Sequence, residues 1–207
     1  MIRSLLPVAL IGFSAGCVGA EPTTTATAEP ETVTEIPAGE QLLARAPEGW
    51  RQIGSVETER LKRAEFVPQA DDDQNWDSQI TFESMVVDPL PDPTEFVASI
   101  TAGRDRSCGT FRIHNTFTGS ENGYLTAVNL LICHKDSDTG RSEVTMMKTM
   151  QGNDAFYVIT RSLRGEPIPE DQAPSIEEAE IGGWAVFLRS VGLCDTGRAE
   201  HPCPPLP

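Results

Sequence analysis

The alternation of apolar and polar residues along the chain predicts seven β-strands. In one of them Ile80, Phe82 and Val86 alternate with the polar residues Thr81 and Glu83, which is the period of a strand with one buried face. Glycine, proline, asparagine and aspartate residues separate the strands, as is typical of turns. The predicted strands cover residues 50–56, 61–67, 80–86, 110–118, 124–132, 142–151 and 155–164.

The first predicted helix follows the third strand. Asp92 can cap the free amides of its first turn, Pro93 suits the first helical position, and Glu95 stands where a capping box requires an acid. These three residues therefore fix where the helix begins. Its apolar face then consists of Phe96, Val97 and Ile100.

A second helix is predicted near the C-terminus. The run from Ser175 to Glu178 has the form of another capping box, so the helix is expected to begin there. Gly182 and Gly183 lie inside it, and each costs about 1 kcal/mol relative to alanine. We therefore expect one of these glycines where helix and sheet approach closely. The predicted buried face consists of Ile181, Trp184, Ala185 and Leu188.

The order of these elements is three strands, a helix, four strands and a helix. Short turns between consecutive strands imply an antiparallel sheet. The predicted fold class is therefore α+β, with an antiparallel sheet of about six to seven strands flanked by two main helices.

Three features of this pattern resemble the Mog1/PsbP-like superfamily, which includes the DcrB-type bacterial envelope lipoproteins. They are Pro47-x-Gly49-Trp50 before the first strand, Phe66-Val67-Pro68 at the end of the second, and the strand and helix order over residues 45–192. The segments 76–81 and 152–164 also look like a group of uncharacterised Gram-negative periplasmic proteins. The resemblance implies an α/β/α sandwich with a binding or assembly role, and it carries over no functional residue.

The N-terminus has the pattern of a secretory signal. Arg3 is followed by an apolar run from Leu5 to Phe13, which is too short to span a bilayer, since a span needs about 20 residues. The next four residues, Ser14-Ala15-Gly16-Cys17, resemble a bacterial lipobox, although Ser14 stands where leucine is usual. We expect cleavage before Cys17 and lipidation of Cys17; an ordinary cleaved signal peptide is the alternative.

The segment after Cys17 predicts a disordered tether. Residues 18–39 are rich in Thr, Pro, Glu, Ala and Gly, with almost no large apolar groups to bury. Val18, where the enterobacterial sorting pattern for the inner membrane has aspartate, favours the outer membrane and a domain that faces the periplasm. The predicted organisation is a signal peptide at 1–16, a lipidated tether at 17–44, a globular domain at 45–193 and a disulfide-closed tail at 194–207.

The composition is acidic. The chain has 16 basic and 31 acidic residues, a formal charge of −15. Removing Arg3 with the signal would leave 15 basic residues and a charge of −16. Nucleic acid and anionic membrane surfaces are therefore poor partners, and the length after the tether suits one domain with one core.

Four cysteines remain besides Cys17, and they predict two disulfides in an oxidising compartment. A hairpin centred on residues 119–123 would pair positions whose numbers sum to about 241, and this sum matches Cys108 with Cys133. Cys194 and Cys203 then close a short loop. A zinc site is the rival interpretation, but the chain has no C-x-x-C pair.

Two acidic segments and one serine motif invite a chemical interpretation. Residues 12–16 match the letters of G-x-S-x-G, but they belong to the predicted signal and are rejected. In the first acidic segment, Trp76 stands where a calcium-binding EF-hand loop has glycine, and Phe82 stands where it has its twelfth-position glutamate. A solvated loop is therefore preferred for this segment. The turn around Gly140 is likewise interpreted as an ordinary one. The oxygen-bearing residues concerned are Asp71, Asp73, Asn75 and Asp77 in the first segment and Asp136 and Asp138 in the second.

The remaining candidates are three histidines and a cluster of large apolar residues. In the register that sums to 241, His114 faces Ala127 and His134 faces Ser107, so no paired site is predicted from them, and His201 lies in the tail. A small-molecule pocket is weighed against an ordinary core, which is preferred. The residues that could line it are Met146, Met147, Met150, Phe156 and Tyr157.

These observations predict a noncatalytic cell-envelope lipoprotein that needs no cofactor or metal. Its expected partners are the membrane, through the lipid on Cys17, and an envelope protein or other envelope component. Two alternatives remain open. The first is a carrier of a small apolar ligand held near Met146 and Trp184, and the second is an unrecognised periplasmic enzyme that uses His114 or His134.

Overall fold

The structure is a computed structural model that describes residues 38–104 and 107–205. Two helices and nine strands are found in these ranges. The helices are α1 (Pro93–Arg104) and α2 (Glu178–Ser190). The strands are β1 (Glu40–Leu43), β2 (Trp50–Glu57), β3 (Leu61–Pro68), β4 (Ser78–Met85), β5 (Phe111–Glu121), β6 (Tyr124–Cys133), β7 (Ser142–Gln151), β8 (Phe156–Gly165) and β9 (Gly192–Asp195).

Seven of the strands form one antiparallel sheet in the order β2-β3-β4-β8-β7-β6-β5. Helix α1 follows β4 in the chain and leads to β5 at the far edge of the sheet. The short strands β1 and β9 pair with each other in a second sheet. The predicted α+β class and the seven predicted strands of the main sheet are confirmed.

The two helices pack on opposite faces of the sheet. Successive side chains of a strand point to opposite faces, and β7 shows this clearly. Met146 belongs to a core cluster with Trp184 of α2, whereas the next residue, Met147, belongs to a cluster with Val97 of α1. The domain therefore has an α/β/α arrangement with an apolar core on each side of the sheet.

The predicted start of α1 is confirmed. The carboxylate of Asp92 accepts hydrogen bonds from the backbone amides of Thr94, at 2.8 Å, and Glu95, at 3.3 Å. These bonds lower the pKa of Asp92 below its usual value, the bonds to Thr94 being the main cause. The chain thus satisfies the free amides of the first helical turn as its sequence predicts.

Two predictions for the second helix are wrong. Glu177 is extended, with φ −64° and ψ 140°, and α2 begins one residue later without a side-chain cap, so the Ser175 capping box does not form. The side chain of Ile176 instead packs against the core on the α2 side. A Cβ atom on Gly182 or Gly183 would have no neighbour within 4 Å, because Trp184 and Leu188, not the glycines, face the sheet.

The predicted register of the β5–β6 hairpin is also wrong. The turn has two residues, Asn122 and Gly123, with φ of 48° and 83°. Positive φ at both positions is the type I′ geometry that an Asn-Gly pair favours. The strands therefore continue to the turn, and Phe111 lies opposite Cys133 where the sum of 241 had placed Cys108.

Both disulfides nevertheless form as paired. Cys108 lies before β5, where its backbone forms an isolated antiparallel β-bridge with that of Asp136. Its Cα atom is 5.4 Å from that of Cys133. Cys194 at the end of β9 is bonded to Cys203, with 4.8 Å between the Cα atoms. The first pairing is thus correct, although the register that suggested it is not.

Folded structure begins before residue 45, the predicted boundary, because β1 pairs with β9. The carboxylate of Glu40 accepts hydrogen bonds from the backbone amide of Asn153 and, at 2.9 Å, from the hydroxyl of Tyr157. A Cβ atom on Gly152 would lie 2.2 Å from this carboxylate, so the close approach requires glycine there. No sequence pattern predicts a strand as short as β1, since the strand depends on contacts with distant residues.

The signal peptide, Cys17 and most of the predicted tether lie outside the described residues. Within the described ranges, neither helix is long and apolar enough to cross a membrane.

Candidate binding cavity

A β-bulge in the edge strand β5 determines which face of the sheet Phe117 occupies. Before the bulge, Phe111 and Ile113 pack on the α1 side. Asn115 pairs with Asn129 and Phe117 with Val128, which leaves Thr116 as an extra residue without a partner in the ladder. An inserted residue reverses the alternation of side chains beyond it. Phe117 therefore points to the α2 side, where 39% of its surface is exposed.

Phe117 forms one wall of a cavity of about 310 Å³ between α2 and strands β5, β6 and β7. Its volume is at the lower end of the range of small-molecule sites, about 300 to 1,000 Å³. The lining is predominantly apolar. The apolar side chains are Phe117, Val128, Met146, Ala185 and Leu188, and the polar ones are Thr116, Glu121, Lys148 and Arg189.

Gly119 leaves room for the aromatic wall. A Cβ atom at this position would lie 2.9 Å from Cζ of Phe117. Real Cβ contacts are longer than this, so the ring lies over Gly119 because the residue has no side chain. The bulge and the glycine together place the ring.

Lys148 is a fully buried cation beside the cavity. Its side-chain nitrogen donates hydrogen bonds to the carbonyl oxygens of Leu188, at 3.0 Å, and Val191, at 2.7 Å, and it forms an ion pair with Glu121. Because Leu188 lies in the last turn of α2 and Val191 is its C-cap residue, Lys148 satisfies carbonyl groups that a helix end leaves free. It fixes this end of α2 against the sheet, which maintains one wall of the cavity.

Arg189 lies at the rim of the cavity in the last turn of α2. Its side chain is exposed and has no ion-pair partner among the described residues. Carbonyl groups at the same helix end already receive hydrogen bonds from Lys148. The guanidinium group of Arg189 is thus free to interact with another molecule.

The amino-acid sequence predicts only part of this site. Met146 lines the cavity, but Met150 and Tyr157 lie in the core on the α2 side, and Met147 and Phe156 lie in the core on the α1 side. The preference for core over pocket is therefore correct for these four residues. Trp184, near which a ligand was expected, is buried in the core and does not line the cavity.

Phe117, Lys148 and Arg189 were not predicted as site residues. One signal for Lys148 is present in the sequence, because it has the same strand phase as the buried residues Val144, Met146 and Met150. A lysine at such a position must be paired or hydrogen-bonded. The bulge that exposes Phe117 leaves no comparable signal.

The acidic loop after β3 is held by its own contacts. Asp71 accepts hydrogen bonds from the amides of Asp77 and Ser78, at 3.0 and 3.1 Å, and Asp72 accepts two from Gln74 and Asn75. Asp73 forms an ion pair with Arg51, and Asp77 forms one with Arg141. These carboxylates thus have protein partners, in keeping with the preferred interpretation as a loop.

Asp136 likewise closes an ordinary turn. Its carboxylate accepts hydrogen bonds from the amides of Asp138 and Thr139, each at 3.0 Å. It also lies near Cys108 and Cys133, and these three side chains are close enough together for metal ligands. The two sulfur atoms are bonded to each other, however, so they do not offer thiolates to a metal.

The histidines occupy three separate environments. His114 is exposed on the edge strand opposite Leu130, and His134 is buried with its Nδ1 atom 3.2 Å from the carbonyl oxygen of Pro169. The ring of His201 stacks on Tyr124, with 4.0 Å between the ring centroids. The pairings predicted for His114 and His134 are wrong, because they depended on the register that the Asn-Gly turn replaces.

Trp50, part of the motif that resembles the superfamily, has a packing role on the α2 side. The guanidinium carbon of Arg161 lies 4.9 Å from the Trp50 ring centroid and 5.7 Å from that of Trp184. Burial lowers the pKa of Arg161, and the charge of Glu180 acts in the opposite direction. Such cation–π contacts stabilise a partly buried arginine.

The described residues thus form an α/β/α domain with an apolar cavity beside its second helix. No protein-family description matches the sequence. A search of curated proteins also finds no match.

The chain is similar to several solved structures. The Ran-binding protein Mog1p of Saccharomyces cerevisiae is 12% identical, with a TM-score of 0.44 over 78% of this chain and 98% of that one. LpqN, involved in cell envelope biogenesis of Mycobacterium tuberculosis, is 12% identical, with a TM-score of 0.41 over 77% of this chain and 87% of that one. A protein of unknown function from Pseudomonas aeruginosa is 9% identical, with a TM-score of 0.43 over 65% and 83%. At these identities the likeness concerns the fold alone.

Proposed function

We propose that this chain is a noncatalytic lipoprotein of the bacterial cell envelope that binds an envelope component through the cavity beside α2. A lipid on Cys17 holds the domain at the periplasmic side of a membrane, with the outer membrane favoured. The tether between Cys17 and the domain provides reach. The domain acts as a binding module and uses no cofactor.

One observation carries the binding proposal, and it is the apolar cavity with Phe117 as its exposed wall. The bulge at Thr116, the close approach at Gly119 and the buried Lys148 position its walls. A partly exposed aromatic ring beside an apolar cavity is the arrangement that proteins use to anchor an apolar group. The separate positions of His114 and His134 favour binding over catalysis.

Photocrosslinking in cells tests this proposal. The full chain would carry benzoylphenylalanine in place of Phe117, and the product would be analysed after illumination. We expect a specific adduct with an envelope component, which is either a protein or a lipid. The same probe in place of Leu125, which is 48% exposed but does not line the cavity, serves as the position control.

A second substitution shows whether the adduct depends on the cavity. Ala185→Phe places a ring in the cavity from the α2 side, whereas Val186→Phe adds the same ring at a neighbouring residue that is 61% exposed. The adduct at position 117 should disappear with Ala185→Phe and persist with Val186→Phe. Equal adducts at positions 117 and 125, or persistence with Ala185→Phe, would contradict binding through the cavity.

A further inference from the structure

The charged residues of the cavity give it a local charge opposite to that of the whole chain. The chain has a formal charge of −15. The cavity is lined by two cationic side chains, Lys148 and Arg189, and by one carboxylate, Glu121. This local excess of positive charge would attract an anionic group more than its surroundings do.

Only one of the two cations is available to a ligand. The ammonium group of Lys148 is occupied by Glu121 and by the carbonyl oxygens of Leu188 and Val191. Arg189 has no ion pair among the described residues and lies at the rim. A guanidinium group presents several N–H donors in a plane, which suits a carboxylate or phosphate group.

The apolar lining of the cavity restricts the polarity and the size of the remaining part of the ligand. Phe117, Val128, Met146 and Leu188 offer no charged contact, so the group that they surround must be apolar. A volume of about 310 Å³ is small for a lipid with two acyl chains and suits one short alkyl chain.

We infer that the cavity binds a single-chain amphiphile with an anionic head group, its alkyl chain beside Phe117 and its carboxylate or phosphate at Arg189. This inference rests on the proposed function, because it names the chemical class of the component that the cavity holds. A free fatty acid and the phosphate of a single-chain lipid share this chemistry.

Titration calorimetry with defined probes tests the inference. The full chain would carry Cys17→Ser, which removes any lipid of its own. The probes are dodecanoate, dodecyl phosphate, dodecanol and dodecyltrimethylammonium, each below the concentration at which it forms micelles. We expect at least one of the two anionic probes to bind at least about tenfold more tightly than dodecanol and dodecyltrimethylammonium, and their relative affinities identify the preferred head group.

Four variants separate the contributions. Arg189→Gln should weaken the anionic probes about tenfold and leave dodecanol unchanged, because only the head-group contact is lost. Arg60→Gln, at an exposed arginine that lines no cavity near α2, should change neither. Ala185→Phe should abolish binding of all probes, whereas Val186→Phe should retain it.

Three results would overturn the inference. One is equal affinity for the anionic and the neutral probes. Another is a loss of dodecanol affinity in Arg189→Gln as large as the loss of affinity for the anionic probes. The third is the absence of binding to any probe while the adduct at position 117 still forms. In that third case the proposed function stands and only the class of ligand is wrong.

Discussion

The side-chain nitrogen of Lys148 lies 2.7 Å from the carbonyl oxygen of Val191, the residue that follows helix α2. This contact connects the centre of the sheet to the end of the helix that covers it. Since Lys148 is fully buried, its side-chain nitrogen has these partners in place of water: this carbonyl, that of Leu188 and the carboxylate of Glu121.

Lys148→Met should lower the free energy of unfolding by about 3 kcal/mol, because it leaves Glu121 and two carbonyl groups without their partner. Urea unfolding measures the change. Lys62→Met is the matched control, since Lys62 pairs with Glu57 on the exposed surface, and its loss should stay below about 1 kcal/mol. Similar values for the two variants would contradict the role given to Lys148.

The disulfides should differ in their contribution to stability. Their cysteines are separated by 25 and 9 residues. A disulfide that closes a longer loop restricts the unfolded chain more, which gives about 3.5 kcal/mol for Cys108–Cys133 and about 2.7 kcal/mol for Cys194–Cys203. Urea unfolding of the two double Cys→Ala variants measures both. A larger loss for the C-terminal pair would show that folded-state contacts outweigh this effect.

The domain should lose stability at alkaline pH through Tyr124. Burial, together with the charges of Glu40 and Asp195, raises the pKa of Tyr124 to about 12, whereas a tyrosine in an unfolded chain has a pKa of about 10. The folded state therefore keeps the proton that the unfolded state releases, and stability decreases from about pH 10 to about pH 12.

Tyr124→Phe should make this decrease shallower without removing it, because burial and Glu40 also raise the pKa of Tyr157. Its effect near neutral pH should be below about 1 kcal/mol, since the Tyr124 hydroxyl lies near Glu40 and Asn153 but forms no hydrogen bond of good geometry with a described residue. Unfolding free energies measured across the alkaline range test both statements. An unchanged pH dependence in Tyr124→Phe would assign the effect to another group.

Cys17→Ala should release the domain from the membrane as a soluble periplasmic protein, because the lipid is its proposed anchor. Cell fractionation followed by immunoblotting checks this, with intact Cys17 as the reference. A Cys17→Ala chain that still fractionates with membranes would exclude the lipid as the anchor.

The elements that were predicted correctly have local causes. Strand alternation identified the seven strands of the main sheet, and Asp92 with Pro93 fixed the start of α1. In each case neighbouring residues determine the conformation. The Asn122-Gly123 pair is also a local signal, and it predicts the correct register from the turn to Phe117; the bulge at Thr116 shifts the pairs beyond it by one residue.

The features that could not be predicted depend on residues far apart in the chain. Strand β1 forms because β9 pairs with it and because Glu40 reaches the turn at Asn153. The cavity requires the bulge at Thr116, the ring over Gly119 and the distance between α2 and the sheet. None of these follows from the period of apolar residues, so the candidate site had to come from the structure.

Native mass spectrometry of the chain purified from the cell envelope, compared with its Ala185→Phe and Val186→Phe variants, tests the central claim most directly. Binding through the cavity predicts an additional bound mass in the original chain and in Val186→Phe, and its loss in Ala185→Phe. Identical spectra for the original chain and a folded Ala185→Phe variant would contradict the claim that the cavity beside α2 is the binding site.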